Sequence, residues 1–487
     1  MSVEARPIRF YLNDRLTEVS GVAPTTSVLS FLRQDQRLCG TKEGCAEGDC
    51  GACTVVIAEI AGSELQTKAV NACIQFLPTL DGKALYTVEA LRQSSGDLHP
   101  VQDAMVKCHG SQCGFCTPGF VMSLWALYID TDGAKTDENR VREAITGNLC
   151  RCTGYRPIIK AGRQMFDLPR VVFEREGLKS KLAKINATSG LEYTSRDQRF
   201  FAPRSLQELV QLRSDYPDAT ILAGGTDVGL WVNKQLRELN EIVYTGSVTE
   251  LRVTEKSAFG ISIGAAVSLT DAYAALKSVY PQMNEMWERF ASMPIRNAGT
   301  LGGNIANGSP IGDSMPALIA LGATAKLASI RGTRGLPLES LYLGYQKKDM
   351  APDEILVSVT IPLPTPELKF RNYKLSKRFD SDISAVCAAF AVKLDGNIVT
   401  SCRIAMGGMA ATPKRALNAE RVLIGRSWDE SNLRLGMAAL SQDFAPLSDM
   451  RATADYRLTA ARNLLYRFYL ETKPVEPLRS TDVSVFA

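Results

Sequence analysis

The sequence predicts an α+β fold spread over several domains, and three observations carry that reading. The chain has 487 residues, enough for about three or four domains of roughly 100–200 residues each. Hydrophobic periodicity changes character along it. Strand-like alternation opens the chain, a helical period runs from about residue 88 to 165, and strand and helix signals alternate after Leu191. Ten of the twelve cysteines fall between Cys39 and Cys152, so the first two of those stretches carry a chemistry that the rest lacks.

Taken in order, Ile8-Arg9-Phe10-Tyr11-Leu12 alternates as a half-buried strand, and Asn13-Asp14 is a turn pair before a second short strand. Residues 28–33 read as a short helix, with Thr25, Thr26 and Ser27 offering capping oxygens. Residues 54–60 are β-branched and apolar, hence a strand, and residues 1–84 are expected to form one small mixed domain. Helical spacing then places helices over 101–108, 119–128 and 138–145, so 85–169 should be all-helical. The basic, polar stretch 170–190 has few signals of either kind and reads as a linker. Strands are expected at 219–223, 241–243 and 260–265, within a domain spanning 191–366. The last domain, 367–487, should carry strands 386–394 and 398–405 joined at Asp395-Gly396-Asn397, then helices over 414–424 and 429–442. No solenoid repeat is present.

Composition removes several functions. Fifty-six basic against 52 acidic residues leave a net charge of +4, too near balance for a nucleic-acid or anionic-membrane surface. Hydrophobic residues are 45% and charged residues 22%, which excludes an extensively disordered chain. The most apolar run, around 315–325, stops at Lys326, well short of the about 20 residues a membrane helix needs. Glu4, Arg6 and Arg9 precede any apolar run, so no signal-peptide core is expected and the chain is read as cytoplasmic, where thiols stay reduced. Clustered cysteines in that setting point to metal rather than to disulfides. His99 and His109 are the only histidines and read as ordinary loop residues, so thiolates must supply the ligands.

The cysteines fall into two sets. Cys45, Cys50, Cys53 and Cys73 have the C-x4-C-x2-C spacing with a distant fourth cysteine, the pattern of a plant-type [2Fe–2S] cluster. Four thiolates must converge on two irons, and Gly40, Gly44, Gly48 and Gly51 supply the turns of a tight loop that presents three of them. A zinc site is the alternative, but zinc ribbons favour paired C-x2-C knuckles. Cys113 and Cys116 precede a predicted helix, and Cys150 and Cys152 follow another. On spacing alone that second set fits zinc or [2Fe–2S] equally. Cys39 and Cys108 lie outside both sets and read as buried small thiols, and Cys387 and Cys402 fall in predicted strands and read as core.

Longer motifs separate those alternatives. Cys113-Gly-Phe-Cys116-Thr-Pro-Gly119, with Gly147-Asn-Leu-Cys150-Arg-Cys152-Thr-Gly-Tyr155-Arg-Pro157, resembles the second [2Fe–2S] domain of the molybdenum hydroxylases, the xanthine dehydrogenase family. Lys42-Glu-Gly-Cys45-Ala-Glu-Gly-Asp-Cys50-Gly-Ala-Cys53 resembles their ferredoxin-like domain. The resemblance implies a β-grasp ferredoxin-like domain over 1–84, an all-α [2Fe–2S] domain over 85–169, and a cluster rather than zinc in the second set.

Leu222-Ala-Gly-Gly-Thr-Asp-Val-Gly229 follows a predicted strand but lacks the G-x-G-x-x-G fingerprint, so it does not predict a Rossmann nicotinamide site. Its glycines still offer backbone N–H groups to a pyrophosphate. A second glycine cluster, Gly299-Thr-Leu-Gly302-Gly303-Asn304, is followed by Ser309-Pro-Ile-Gly-Asp313. Two such loops can clasp one dinucleotide, and either alone can be a plain turn. Both are similar to the family's FAD-binding domain, of the vanillyl-alcohol-oxidase or PCMH type, here over 191–366. A C-terminal α+β domain like that of the carbon monoxide dehydrogenase flavoprotein then covers 367–487. Carried over by position, the resemblance puts Ala223, Gly224, Gly225, Thr226, Asp227, Val228, Gly229 and Leu230 at the pyrophosphate. Phe290 would pack on the flavin, Thr300 and Asp313 would hydrogen-bond it, and Leu356 and Lys374 would line the remaining wall. Tyr345 matches a residue near the nicotinamide entry. Phe290 and Leu356 taken alone also suit ordinary core packing.

The resemblance implies an electron-transfer chain with no catalytic residue of its own for purine oxidation. No motif resembles the family's molybdenum-binding domains. Molybdopterin is therefore expected on a large partner subunit, in a heterotetramer of two small and two large chains. Electrons from hypoxanthine or xanthine would pass through the second cysteine set, then the first, then FAD, to NAD⁺. The same wiring could serve another N-heterocycle or an aldehyde. A zinc-bearing structural scaffold is the alternative of a different class.

Overall fold

The computed structural model describes residues 4–186 and 189–479. The chain divides into two compact units. The first runs to Glu250 and takes in Ser268–Thr270 and Ser292–Thr300, and the second holds the rest.

The first unit contains two five-stranded sheets and a group of helices. One sheet runs in the order Arg15–Val19, Ile8–Leu12, Ala84–Tyr86, Thr54–Ala61, Glu64–Asn71. Its fourth strand, Thr54–Ala61, is a near-continuous apolar run because both faces are buried over most of its first half. Val55 packs with Phe10, Phe31 and Leu77 on one side, and Val56 and Ala58 meet Phe120 and Leu124 on the other. The expected short helix is a single α-turn, Val28–Ser30, that widens into a π-turn, Phe31–Asp35. Ser27 Oγ caps it by accepting from Ser30 N at 3.0 Å.

Helices Pro100–Lys107, Thr117–Asp130, Glu138–Ala144 and Arg156–Gln164 follow. Thr117–Asp130 is apolar on nearly every face because it lies at the centre of this group. His99 is a helix cap and not an ordinary loop residue: its Nδ1 accepts from Val101 N at 3.2 Å, and its own N–H donates to Gln102 Oε1 at 3.2 Å. The stretch read as a linker holds helix Arg175–Ile185, with Leu178 and Leu182 buried one turn apart. Its many lysines hid a two-leucine stripe. Ala187 and Thr188, also in that stretch, lie outside the described residues, as do residues 1–3 and 480–487 at the ends of the first and last expected domains.

The other sheet of this unit has the order Glu4–Ala5, Leu191–Ser195, Gln198–Ala202, Glu241–Tyr244, Thr220–Leu222. Its first strand comes from the start of the chain and pairs in parallel with Leu191 and Glu192, a long-range pairing that periodicity cannot foresee. Arg6 follows and forks onto Asp81, with two bonds of 2.7 Å.

The second unit contains a sheet ordered Thr254–Lys256, Ile261–Gly264, Ile355–Ile361, Thr324–Ser329, Gly332–Pro337. It also contains an antiparallel meander, Leu368–Leu375, Val386–Asp395, Ile398–Gly407 and Lys414–Arg415. The hairpin expected at Asp395-Gly396-Asn397 is present, with Gly396 at φ 58°. Lys414–Arg415 extends the sheet instead of starting the expected helix, which begins at Leu417. Arg415 pairs with Glu420 there. Helices Leu417–Leu423, Glu430–Asp443 and Ala454–Thr472 cover the meander over a core of Phe390, Trp428 and Phe468. No helix among the described residues is long and apolar enough to cross a membrane.

Candidate iron–sulfur and flavin sites

The four sulfurs of the first set interact with one another. Hydrogen bonds from the Cys50 and Cys73 thiols hold Cys45 far below the usual thiol range, and a bond to Cys73 lowers Cys53. Bonding to Cys45 pushes Cys50 and Cys73 up in turn. Two of the four sulfurs thus favour the thiolate and two the thiol, and all four lie close enough to hydrogen-bond one another, as the ligands of one metal centre must. Glu47 N and Cys50 N both point at Cys45 Sγ, at 3.5 and 3.4 Å, and Asn71 Nδ2 lies 3.9 Å from Cys53 Sγ. The loop turns at Ala46, Gly48 and Gly51, all with positive φ.

The second set sits at two helix ends. Cys116 caps Thr117–Asp130, and Cys150 and Cys152 lie in the loop before Arg156–Gln164. Burial and a hydrogen bond to Cys150 push Cys116 up to about 12. Burial raises Cys150 too, but the Thr153 hydroxyl and N–H outweigh it and leave the thiol lowered. Cys152 is raised by its bond to Cys113. Cys150 N–H also donates to the Tyr155 hydroxyl at 3.0 Å, which fixes the loop.

The two cysteine loops are packed together. Leu149 N donates to Cys50 O at 3.0 Å. Asn148 Nδ2 donates to Gly51 O at 3.0 Å, while Asn148 Oδ1 accepts from Ser123 at 2.6 Å. A Cβ at Gly51 would lie 2.0 Å from Gly147 O, so only glycine allows this approach. Among the described residues no three His, Cys, Asp or Glu side chains are grouped to hold a single metal ion. In a [2Fe–2S] cluster each iron would take only two thiolates, so no such grouping is needed, and the sulfur-directed N–H groups suit a cluster.

The residues that follow Cys73 meet the Gly224-Gly225 segment. Gln75 Nε2 donates to Gly224 O at 3.0 Å, and a Cβ at Gly225 would lie 2.8 Å from Ile74 O. Asn233 Nδ2 reaches Cys73 O at 2.7 Å. The expected pyrophosphate residues Ala223 to Leu230 thus run from the end of strand Thr220–Leu222 into helix Val228–Asn233, directly against the residue after Cys73. Thr300 is buried and bridges to Ser268 in the same unit.

The remaining flavin candidates belong to the second unit. Lys374 Nζ bonds Asp313 Oδ2, and Ser384 Oγ donates to Asp313 Oδ1 at 2.5 Å. The Lys374 and Asp313 side chains are 1% and 3% exposed, and each carboxylate oxygen keeps a lone pair for a further donor. Arg289 donates to Lys374 O at 2.9 Å and to Phe379 O at 3.1 Å, and its guanidinium lies 4.6 Å over the Phe379 ring. Phe290 sits edge-on to Tyr273, which stacks on Trp287. Leu356 is buried in its sheet, and Tyr345 is exposed at a hairpin tip. Asn304 Oδ1, in the second glycine cluster, is buried and lacks a hydrogen-bond partner among the described residues, as suits a donor supplied by a polar ligand. Sequence reasoning placed Asn148 beside the second cysteine pair without its bond to Gly51 O, and passed over Asn233, Arg289 and Ser384. Their signal is side-chain bonding to groups distant in the chain, which spacing does not carry. Of the four spare cysteines, Cys108, Cys387 and Cys402 are buried as expected, but Cys39 is exposed because its loop lies at the surface.

These features define an iron–sulfur flavoprotein architecture, and comparison with known proteins makes it specific. Residues 10–77 match the 2Fe-2S iron-sulfur cluster binding domain and 87–163 the [2Fe-2S] binding domain. Residues 194–364 match the FAD binding domain in molybdopterin dehydrogenase, and 371–472 the CO dehydrogenase flavoprotein C-terminal domain. Xanthine dehydrogenase of Emericella nidulans is 34% identical over 98% of this chain and 39% of its own length. Quinoline 2-oxidoreductase from Pseudomonas putida 86 is 30% identical, with a TM-score of 0.51 over 57% of this chain and 97% of that one. Carbon monoxide dehydrogenase from Hydrogenophaga pseudoflava is 26% identical, with a TM-score of 0.53 over 56% of this chain and 95% of that one. The chain belongs to the molybdenum hydroxylase family, as its iron–sulfur and flavin part. It spans about two fifths of the length of the xanthine dehydrogenases it matches.

Proposed function

We propose that the chain is the electron-transfer part of a xanthine dehydrogenase, linking a molybdenum centre on a large partner subunit to NAD⁺. One observation carries the reading: the loop of Cys45, Cys50 and Cys53 is packed against the Cys150 loop, and the residues that follow Cys73, the fourth cysteine of that set, lie against the Gly224-Gly225 segment. Cys45, Cys50, Cys53 and Cys73 would hold one [2Fe–2S] cluster and Cys113, Cys116, Cys150 and Cys152 the other. Ala223 to Leu230, Phe290, Thr300, Asp313, Leu356 and Lys374 would hold FAD, and Tyr345 would lie near the nicotinamide. When bound, the clusters carry single electrons and the flavin exchanges them for a hydride. The protein's own part is to gather the sulfurs, aim N–H groups at them and bring the loops into backbone contact. Xanthine is favoured over quinoline or carbon monoxide because a named xanthine dehydrogenase matches 98% of the chain.

The test is iron, sulfide and flavin analysis of anaerobically purified protein with its visible spectrum. Four irons and one FAD per chain are expected. Zinc in place of iron would establish the scaffold alternative, and two irons would remove one of the sets.

A further inference from the structure

Asn233 ends the short helix Val228–Asn233, beyond the residues that the family motifs single out. Its amide Nδ2 donates both to Cys73 O at 2.7 Å and to Ala46 O at 3.2 Å. One side chain thus ties together the two chain segments that carry the first cysteine set. Ala46 is in the left-handed region, at φ 55°, a conformation disfavoured for any residue with a Cβ. In a trans peptide the C=O and N–H point in opposite directions. With the Ala46 carbonyl drawn toward Asn233, the N–H of the same peptide, that of Glu47, faces the other way, at 3.5 Å from Cys45 Sγ. The neighbouring Lys234 secures the start of this stretch, donating to Cys45 O at 2.5 Å and pairing with Glu47 at 3.5 Å.

We propose that Asn233 is a positioning residue for the first cluster: by holding the Ala46 carbonyl it aims the Glu47 N–H at Cys45 Sγ and raises the cluster's reduction potential. Hydrogen bonds to ligand sulfur stabilise the reduced, more negative state. The inference rests on the reading that this cysteine set holds a [2Fe–2S] cluster. It also makes the helix after the flavin loop a determinant of the potential of the centre beside it.

The test is an EPR-monitored redox titration of the full chain, purified without air, as wild type and Asn233→Leu. Leucine keeps the shape and neutrality but has no donor. Cys45→Ser identifies which signal belongs to the first set. That signal is expected to move to lower potential in Asn233→Leu, with the other signal and the iron content unchanged. An unmoved potential in an iron-replete variant overturns the inference, and so does an equal shift of both signals. Should Asn233→Leu lose iron, Asn233→Ser, with a shorter donor, is titrated against the same two outcomes. A wild-type chain without iron and sulfide would instead sink the cluster reading itself, and this inference with it.

Discussion

Cys45 and Cys150 receive their hydrogen bonds from different groups, backbone N–H of Glu47 and Cys50 for one and Thr153 for the other. Cys45→Ser and Cys150→Ser should therefore each shift or abolish a different EPR signal, since serine is a harder ligand. Loss of the same signal in both variants would break the assignment of cysteines to two sets. His99 offers a pH test. Burial lowers its pKa to about 4, below the unfolded value of about 6.5, so between these the unfolded chain binds a proton that the folded chain refuses. Stability should fall as pH drops from about 6.5 to about 4, by about 3 kcal/mol in all at 1.36 kcal/mol per pH unit. His99→Asn keeps a capping oxygen, and its denaturation midpoints should be flatter across that window. Lys374 and Asp313 are a buried pair. Lys374→Met should cost about 3–5 kcal/mol in urea unfolding by leaving a carboxylate alone, and adding Asp313→Asn should recover much of it. Equal loss in single and double variants would show that the pair does not act as a unit.

At the scale of elements, helix Arg175–Ile185 gives a direct test of packing. Leu182 is fully buried among the residues around Phe120 and Leu124. Leu182→Ala should destabilise the chain by about 2–5 kcal/mol, whereas in a solvated linker it would change chemical denaturation by less than about 0.5 kcal/mol. This helix shows where sequence reading runs out. Ile8–Leu12 and Ile398–Gly407 were legible because alternation, or a turn pair beside it, marks a strand without any knowledge of its neighbours. Arg175–Ile185 has only two buried leucines among lysines, and Glu4–Ala5 is a strand only because residue 191 arrives to pair with it. The cysteine spacing was readable because ligand geometry restricts it, and the structure brings the sulfurs of Cys45, Cys50, Cys53 and Cys73 close together. The bonds of Asn148 to Gly51 O and of Asn233 to Cys73 O were not readable, since a side-chain amide bonding distant carbonyls leaves no periodic trace.

For the molecule as a whole, the two units carry different parts of the proposed chemistry. Both cysteine sets and Ala223 to Leu230 lie in the first, and Phe290, Asp313, Leu356, Lys374 and Tyr345 lie in the second. The family models account for residues 10–77, 87–163, 194–364 and 371–472, and none of the four describes a molybdenum-binding domain. On the proposed function, the chain with its iron and flavin should oxidise NADH with an artificial dye and leave xanthine untouched until a molybdenum subunit is added. Anaerobic assays of both reactions check this. Xanthine oxidation by the chain alone would overturn the division of labour, and a fully flavinated sample inert to NADH would move the acceptor away from NAD⁺ and undo the role given to Tyr345.

Ser292–Thr300 belongs to the first unit although it is made long after the cysteines. Met293 N donates to Thr146 Oγ1 at 3.3 Å, Pro294 lies against Gly147, and Ile295 lies against Gly48. A ribosome releases every candidate ligand cysteine before it reaches this segment. Residues 292–300 are therefore the last part of this neighbourhood to be synthesised, and the flank at Gly48 and Gly147 stays uncovered until they arrive, whereas Cys113 and Cys152 remain exposed even in the finished chain.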